Sequence, residues 1–404
     1  MELIKVIVVF VAILVLLNLK LPLFSGMLGG TVLLLIFFGI GIPEFGDIAF
    51  RSVTSWGTLE VVIALYVIIL LQRMLEKRKF LTLAQESLNG LMKDRRLNAA
   101  FASIFIGMMP SAAAVTICGK IMDDTAGDHL TKPEKAFCAN YYRHIPEGVL
   151  PTYPLIIIAC SLSGVPVSSF LFGMIPPVII LIALGYFFYL RKIPKIDDRP
   201  SSGPTVKLSK KENLKNLAKS LWTIFFAIVF IIAFDIPTWI AVSGVIVVSI
   251  FVDHFKPAEM KEMIISAFEW KTVLGTFCVF IFKDVLISAG LLELLPGYFS
   301  KLPIPVYLTL ALLFFFGTMV ASSTAVGSAF VPLAFTMLPG GMPLLILLMG
   351  FSFAASQMTP THVCLAVVTE YFGISLGALL KKTLPVMFTY CVILVGYYLL
   401  LGIF

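Results

Sequence analysis

The two halves of the chain carry one pattern of prolines, glycines and apolar runs. Residues 150–154 (LPTYP) precede an apolar run, and residues 359–362 (TPTH) precede a similar run in the second half. A glycine and then a proline follow in both halves, offset by 209 residues: Gly164 and Pro176, then Gly373 and Pro385. A series of this kind in one order indicates an internal duplication, so the chain is expected to fold as two copies of one unit.

The similarity extends towards the N-terminal side of each half. Residues 107–115 (GMMPSAAAV) resemble residues 317–326 (GTMVASSTAV), with a small shift in register. In a membrane protein, duplicated halves with interrupted apolar segments at matching positions predict a transporter whose binding site lies between the halves.

The composition indicates a membrane protein. Hydrophobic residues make up 59% of the chain and charged residues only 13%, whereas soluble domains have about 25% charged residues. Runs such as residues 3–17 and 27–42 contain almost no charge, so they are expected to face lipid or one another. The net charge of +7 does not indicate a nucleic-acid partner, because the basic residues are concentrated in two loops, where they set the orientation of the chain in the membrane.

Apolar runs predict five membrane spans and one re-entrant hairpin in each half. Each hairpin is an apolar stretch folded about a tip of small residues, 110–113 (PSAA) and 321–324 (ASST). An odd number of spans inverts the second half relative to the first. The predicted fold is therefore an all-α polytopic membrane protein of two inverted-topology repeats, residues 1–192 and 216–404, joined by a cytoplasmic linker at 193–215. The predicted spans cover residues 3–17, 22–40, 58–75, 132–163 and 170–190, then 219–233, 236–252, 271–291, 342–370 and 376–403.

Two basic segments set the predicted orientation. The segment after the third span and the linker between the halves are rich in Lys and Arg, whereas the loops at 161–169, 233–237 and 292–303 are short and nearly uncharged. By the positive-inside rule the basic segments face the cytoplasm, which puts both termini outside. The expected location is the cytoplasmic (inner) membrane, which the chain crosses many times.

The fourth span contains charged residues and a predicted break near the centre of the membrane. Arg143 and His144 lie roughly 15 Å into a helix that starts near Pro133, at about 1.5 Å of rise per residue. Glu147 follows within one turn, and the prolines and glycine between 146 and 154 predict that the helix breaks there. Lipid cannot satisfy the backbone groups that a break frees, so they require a ligand, an ion, water or a facing hairpin tip.

The second half offers hydroxyl groups at the matching place. Its break, residues 357–362 (QMTPTH), is uncharged and rich in hydroxyl groups, and its hairpin tip carries three more. The hydroxyl and imidazole groups expected to meet near the midplane are Ser111 and Thr152 from the first half, with Ser322, Ser323, Thr324, Thr359, Thr361 and His362 from the second.

Each of these groups also has a structural interpretation. Hydroxyl side chains often mediate close helix packing in membranes. Arg143, His144 and Glu147 can form a salt-bridged structural cluster, although a charge in the middle of a membrane marks a functional site by default. Lys283 and Asp284, adjacent in the eighth span, can either neutralise each other or couple transport to a proton or cation.

With two inverted halves, Ser/Thr-type hairpin tips and proline-broken helices, the chain resembles the ion-transporter superfamily, which includes divalent anion/sodium symporters, citrate and gluconate permeases and arsenite transporters. Residues 356–365 (SQMTPTHVCL) and 370–372 (EYF) resemble an uncharacterised prokaryotic family of integral membrane proteins within it. Sodium-coupled relatives carry a Ser-Asn-Thr element at each tip and break. Here residues 322–324 have serine in place of asparagine, and the first tip has only Ser111 before three alanines. The resemblance implies the superfamily's fold and a homodimer.

The sequence therefore predicts a secondary active transporter that moves a small anion, such as a carboxylate, and couples this movement to Na+ or H+. Half-helix N-termini favour negative charge, and Arg143 can bind a carboxylate with two bonds. The predicted substrate-binding residues are Ser111, Arg143, His144, Glu147, Thr152, Ser322, Ser323, Thr324, Thr359, Thr361 and His362. The predicted coupling-ion residues are Ser322, Ser323, Thr324, Thr359, Thr361 and Asp284, with a Na+ site at the second tip and break. No other cofactor is expected.

A cation/proton antiporter is the alternative function. In that case Asp284 with Lys283, or Glu147, carries the proton and Arg143 is structural. An enzyme is not expected, because the few polar residues include no paired carboxylates, no metal-ligand spacing and no nucleophile–base pair. The sequence also has no Walker-type phosphate loop, which argues against ATP as the energy source. The six cysteines stand singly in mostly apolar surroundings and are expected to be inert.

Overall fold

The computed structural model describes residues 2–19, 21–91, 94–108, 113–195, 209–291, 303–359 and 362–402. In these ranges the regular structure is helical throughout, with short turns and a few 3-10 segments and without a strand. Four helical segments are long and apolar enough to cross a membrane: Trp56–Lys77, Val167–Phe188 with a turn at Met174, Lys210–Phe234 and Leu376–Leu401. The bent pair Pro257–Ser266 and Trp270–Ser288 gives a fifth such span. The described part of the chain is therefore all-helical, with the apolar helices of a polytopic membrane protein.

The described helices are numbered in chain order. Before the linker they are α1 (Glu2–Asn18), α2 (Leu23–Phe38), α3 (Ile42–Thr54), α4 (Trp56–Lys77), α5 (Phe80–Leu91), α6 (Arg95–Gly107), α7 (Ala113–Ala126), α8 (Lys132–His144), α9 (Pro154–Ser163), α10 (Val167–Gly173) and α11 (Ile175–Phe188). After it they are α12 (Lys210–Phe234), α13 (Thr238–Val252), α14 (Pro257–Ser266), α15 (Trp270–Ser288), α16 (Val306–Val320), α17 (Ser323–Met337), α18 (Gly341–Ser356), α19 (Val363–Phe372) and α20 (Leu376–Leu401).

Two of the predicted spans are broken helices in the structure. The span predicted at 132–163 consists of α8 and α9, and the span predicted at 342–370 consists of α18 and α19. Pro146 begins a 3-10 turn directly after α8, because proline has no N–H group to donate to the preceding turn. In the second break, residues 360–361 lie outside the described part of the chain. The breaks therefore occur where the prolines predict them.

The second half of each broken helix ends in the same way. α9 is followed by Gly164 with a φ of 70°, and α19 is followed by Gly373 with a φ of 61°. Both values lie in the left-handed region, which glycine adopts without the steric cost that a Cβ imposes. The matching glycines of the sequence pattern thus have one role, which is to end a helix.

Three helices, α3, α5 and α14, are not predicted by the apolar runs. Each contains charged or polar residues along one side, and α3 buries only Ile48 and Ser52. A search for continuous apolar runs passes over such helices, because their apolar residues occupy a single face. α3 directly precedes α4, and α14 precedes α15, so the two helices hold corresponding places in the two halves.

The broken helices of one half pack against the hairpin of the other half. α9 contacts α17, and α19 contacts α7 and α8. The contacts are close: a Cβ at Gly327 on α17 would lie 2.3 Å from Cδ1 of Leu155 on α9, and a Cβ at Gly119 on α7 would lie 2.9 Å from the ring of Tyr371 on α19. The two halves are therefore interlocked at their centre.

The surrounding helices also pair across the halves. α2 packs along α15, α4 packs along α13, and α1 and α12 lie beside α2 and α13 respectively. The ring of Phe10 on α1 stacks on Phe330 of α17 at 4.6 Å and meets the edge of Phe282 on α15 at 5.9 Å. Buried apolar side chains from nearly every helix form one continuous core. This core holds the broken helices in place.

Gly107, the last residue of α6, lies against the backbone of α8. A Cβ at this position would lie 1.8 Å from the carbonyl oxygen of Arg143, far inside the contact distance of any two atoms. The hydroxyl of Tyr153 donates a hydrogen bond to the carbonyl oxygen of Gly107. The first hairpin is thereby attached to both sides of the first break.

We expect Gly107→Ala to destabilise the protein by about 2–3 kcal/mol, because the backbone of α8 has to move away from α6. The matched control is Gly244→Ala on α13, where a Cβ would meet no atom within 4 Å. The control should unfold at or slightly above the wild-type temperature, since alanine favours a helix more than glycine does. Thermal unfolding of the purified variants checks this expectation, and equal melting temperatures for both variants would contradict it.

Candidate functional site

The candidate site is built on the C-terminal end of α8. The helix begins with a capping box formed by Thr131 and Glu134. Oε1 of Glu134 also accepts hydrogen bonds from Nζ of Lys192 at 2.8 Å and of Lys382 at 3.2 Å. These contacts fix the start of α8, and the end of the same helix carries Arg143 and His144 into the centre of the molecule.

Arg143 and His144 form a cluster with the second break. Nη1 of Arg143 lies 2.9 Å from Nε2 of His144 and donates to Sγ of Cys364 at 3.3 Å. Nε2 of His362 lies 2.8 Å from the same Nε2 of His144. Arg143 and His144 are only 6% and 1% exposed. The cluster therefore joins the buried end of α8 to the partly buried start of α19.

The hydrogen bonds determine which nitrogen of His144 carries the proton. Nδ1 lies 2.6 Å from the backbone oxygen of Asn140, and because a carbonyl oxygen only accepts, Nδ1 must be the donor. Nε2 then presents its lone pair to the N–H groups of Arg143 and His362. A proton on this nitrogen would face the guanidinium of Arg143 directly. The geometry thus favours a neutral His144.

A metal ion does not suit this cluster. His144, His362 and Cys364 have potential ligand atoms within 4.8 Å of one another, which is close enough to share an ion. However, Nη1 of Arg143 is directed at two of those three atoms. A fixed positive charge among the ligands opposes a metal cation and favours a negatively charged or neutral acceptor.

A buried pair of amides lies beside the cluster. Nδ2 of Asn140 donates to Oε1 of Gln357 at 3.0 Å, and Nε2 of Gln357 donates to Oγ of Ser356 at 3.3 Å. Both amides are almost completely buried. The sequence analysis did not assign a role to either amide. The available signal was weak: Asn140 is one helical turn before His144, and Gln357 opens the second break.

A small cavity brings the first break and the second hairpin together. Its volume is about 50 Å³, which holds roughly three or four water molecules or a group with a similar number of heavy atoms. The side chain of Glu147 lines it from the first break. Most of its other polar lining comes from the second half: Ser323 and Thr324 at the hairpin, with Ser352 and Ser356 on α18. The first turns of α9 and α17 also border the cavity.

Most predicted site residues that the structure describes lie in or beside this region. Oε2 of Glu147 is 3.8 Å from Nε2 of His144, which connects the cavity to the cluster. The hydroxyl of Thr359 donates to the backbone oxygen of Met319 at 2.8 Å and so ties the second break to α16. Ser322 is exposed and caps α17 by accepting a hydrogen bond from the N–H of Ala325.

Two of the predicted residues have other surroundings, and two lie outside the described residues. Oγ1 of Thr152 is buried and has no hydrogen-bond partner among the described residues. Asp284 accepts a hydrogen bond from the hydroxyl of Ser52 on α3 and forms an ion pair with Lys283 at 3.0 Å. These contacts satisfy Asp284 away from the cavity. Ser111 and Thr361 belong to the parts of the chain that the structure does not describe.

Comparison with known proteins assigns the family. Residues 2–402 match the family described as "Protein of unknown function (DUF401)". The chain belongs to this family. No curated protein matches it significantly.

The fold of this DUF401 protein is similar to that of a solved structure, the crystal structure of the YdaH transporter of Alcanivorax borkumensis, which has an unusual topology. The two superpose with a TM-score of 0.63 at 14% sequence identity, over 90% of this chain and 89% of the other. At this level of identity the similarity establishes a shared fold.

We expect the amide pair to contribute a measurable coupling energy to stability. Asn140→Ala or Gln357→Ala should each cost about 1–3 kcal/mol, because each change leaves a buried polar group without its partner. The double variant should cost about 1 kcal/mol less than the sum of the single changes. Denaturant titrations of the wild type, the two single variants and the double variant give the unfolding free energies for this double-mutant cycle.

The control for the cycle combines Asn140→Ala with Thr336→Ala on α17. The hydroxyl of Thr336 bonds only to Leu333 of its own helix among the described residues. This second pair should be additive within experimental error. Additive effects for Asn140 and Gln357 as well would show that their contact does not stabilise the protein.

Proposed function

We propose that this protein is a secondary active transporter that moves a small anion, a carboxylate, across the cytoplasmic membrane. The observation that carries the proposal is the single cavity shared by Glu147 of the first break and Ser323 of the second hairpin, beside the buried Arg143. The fold shared with the YdaH transporter supports the same class of function. The apolar helices support the location in a membrane.

The packing of the helices supports two inverted repeats, residues 1–192 and 216–404, as the basis of alternating access. α9 packs on α17 while α19 packs on α7, and α2 packs on α15 while α4 packs on α13. In the first two contacts, the broken helix of one half packs on the hairpin of the other half. In the last two, the second span of one half packs on the third span of the other. A pseudo-two-fold relation between the halves requires such matched contacts. Movement of the hairpins and broken helices would then open the site to one side of the membrane at a time.

The charge of the cluster supports an anionic substrate. Nη1 of Arg143 bonds to His144 and Cys364, so a positively charged group lies beside the cavity. The N-terminal ends of α9 and α17 point their partial positive charge at the neighbouring cavity. Ser323 adds a hydroxyl donor, whereas the hydroxyl of Ser356 donates to the backbone oxygen of Phe353 and that of Ser352 pairs with Thr318. A carboxylate of a few heavy atoms has the size of this space, and in this proposal Glu147, the one carboxylate among the described lining residues, is protonated when the anion binds.

The coupling ion in this proposal is Na+ or H+. Neutral oxygens at Ser323, Thr324 and Thr359 favour Na+ at the second tip and break. Glu147 lines the same cavity and offers a site for a proton. We favour at least one Na+ site, because hydroxyl oxygens from several elements converge there, whereas the cavity has a single carboxylate among its described lining residues.

A cation/proton antiporter is the second candidate function. Glu147 supports it, since this carboxyl group borders both the cavity and His144. In that function Glu147 binds and releases the proton, and Arg143 has a structural role. Cation-driven proton movement in proteoliposomes without any organic anion would favour the antiporter.

The proposed assembly is a homodimer, and the proposed orientation has both termini outside and the basic linker in the cytoplasm.

We expect Arg143→Lys to weaken carboxylate binding by about tenfold, because lysine keeps the charge but loses the planar fork that makes two parallel bonds. Arg143→Ala should abolish transport. A thermal-shift screen with acetate, succinate and citrate would identify the ligand, and uptake into proteoliposomes would give its apparent affinity.

The control for the Arg143 variants is Arg51→Lys on the exposed face of α3, where the guanidinium bonds only to Asp47 of its own helix among the described residues. This control should transport as the wild type does. Unchanged affinity in both Arg143 variants would reject the role of this residue in binding.

We expect Ser323→Ala to weaken the apparent affinity for Na+ by about tenfold, because the second tip loses an oxygen ligand, while the protein folds normally. Thr309→Ala is the matched control, since its hydroxyl bonds to Pro305 of its own helix. Uptake at varied Na+ and constant pH measures the effect. Uptake that ignores Na+ but collapses with the proton gradient would instead assign the coupling to Glu147 or His144.

A further inference from the structure

A basic cluster forms where the chain after α11 lies along the start of α6. From α11 the chain continues through a 3-10 turn, Leu190–Lys192, to Lys195. The backbone N–H of Arg95 donates to the backbone oxygen of Lys195 at 3.2 Å. Nε of Arg96 donates to the backbone oxygen of Ile193. Two basic segments that are far apart in the sequence therefore meet at one place.

Arg96 is a partly buried cation that pairs with no carboxylate in the described chain. Besides its bond to Ile193, its Nη1 donates to the hydroxyl of Tyr186 on α11 at 3.1 Å, so the guanidinium is held between α6 and α11. Nη2 makes no hydrogen bond to a described residue, and it is not among the side-chain nitrogens that the protein encloses. An anion can therefore reach Nη2 and supply the negative charge that Arg96 lacks.

Two more basic side chains are exposed on the segment that follows α11. Arg191 and Lys195 are both exposed, and neither forms an ion pair within the described ranges. Lys192 differs from them, because its Nζ bonds to Oε1 of Glu134 at 2.8 Å. Arg191 and Lys195 can therefore add their charge to that of Arg96.

The acids beside the cluster do not balance this charge. Asp94 caps α6 by accepting a hydrogen bond from a backbone N–H at 3.0 Å. Asp124 is exposed, and its backbone oxygen accepts from Nη2 of Arg95 at 3.2 Å. Asp123 is paired with Lys135 at 2.6 Å. The basic side chains of the cluster outnumber Asp94 and Asp124, so it attracts anions; they are Arg95, Arg96, Arg191 and Lys195.

The cluster lies at one end of a membrane span. α11 forms the second part of the span Val167–Phe188. The span ends in aromatic residues, 186–189 (YFFY), and tyrosine is enriched at the level of the lipid head groups. Phe187 is 57% exposed and thus presents an apolar surface next to the basic cluster. A molecule with a charged head and an apolar chain matches both surfaces.

We propose that this cluster binds the phosphate head group of an anionic phospholipid. Nη2 of Arg96 donates to a phosphate oxygen, and Arg191 and Lys195 add positive charge. The acyl chains lie along α11 beside Phe187. Clusters of Lys and Arg next to a span attract the anionic lipids of the cytoplasmic leaflet, and the proposed orientation places this segment on that side. The inference does not depend on the proposed transport of an anion, because no residue of the small cavity takes part.

The test uses native mass spectrometry of the purified full chain in an uncharged detergent. Dioleoyl phosphatidylglycerol is the probe, and dioleoyl phosphatidylcholine is the matched lipid without net charge. Glycerol 3-phosphate supplies the phosphate group without the acyl chains. We expect one phosphatidylglycerol to bind at least about tenfold more tightly than phosphatidylcholine, and to stay bound in a large excess of glycerol 3-phosphate.

Arg96→Gln should weaken phosphatidylglycerol binding by about tenfold, as expected for the loss of a charge-assisted bond. Arg51→Gln, the same change at an exposed arginine on α3, is the matched control and should bind as the wild type does. The double variant Arg191→Gln with Lys195→Gln changes exposed side chains only, and it should also weaken binding by about tenfold. This variant tests the same site should Arg96→Gln fail to fold. Arg143→Lys should leave lipid binding unchanged, which separates this site from the transport site.

Three results would overturn the proposal. Equal binding of phosphatidylcholine would mean that the end of the span takes up phospholipids without recognising their charge. Displacement of the lipid by glycerol 3-phosphate would assign the cluster to a soluble phosphate compound. Equal weakening by Arg51→Gln and Arg96→Gln would place the effect in the overall charge of the protein.

Discussion

A helix that breaks among apolar neighbours leaves backbone groups that lipid cannot satisfy, and this constraint organises the centre of the molecule. Side chains from other elements reach the backbone oxygens at or near the two breaks and at the hairpin ends. The contacts run from Gln72 to Thr152, from Tyr153 to Gly107 and from Thr359 to Met319. The hairpins and breaks therefore stabilise one another, and the polar groups that remain form the candidate site.

Charged side chains lie near both ends of α9. At its N-terminal end, Arg143 and two helix N-termini lie near the carboxylate of Glu147. At its C-terminal end, a cavity of about 340 Å³ is lined by the carboxylates of Glu60 and Asp235 and by no basic side chain of the described chain. The two ends of this short helix therefore differ in their charged surroundings.

The sequence predicted the broken helices, because proline and glycine act through the backbone at their own positions. Pro146 ends α8, and Gly164 and Gly373 end α9 and α19 in left-handed conformations. The sequence did not predict the amphipathic helices α3 and α14, whose apolar residues cover one face only. It also assigned no role to Asn140 and Gln357, because a contact between residues 217 positions apart leaves no local pattern.

The sequence by itself determined the class of the protein, the place of each break and the hydroxyl and charged groups available near them. Composition, periodicity and proline act locally, so they can be read from neighbouring residues. Only the tertiary structure decided which groups meet. It placed Glu147 with Ser323, joined His144 to His362, and turned Asp284 towards Ser52 and Lys283. These contacts depend on how helices that are distant in sequence pack together. Small differences in the distance between two helices decide which of several similar side chains come into contact.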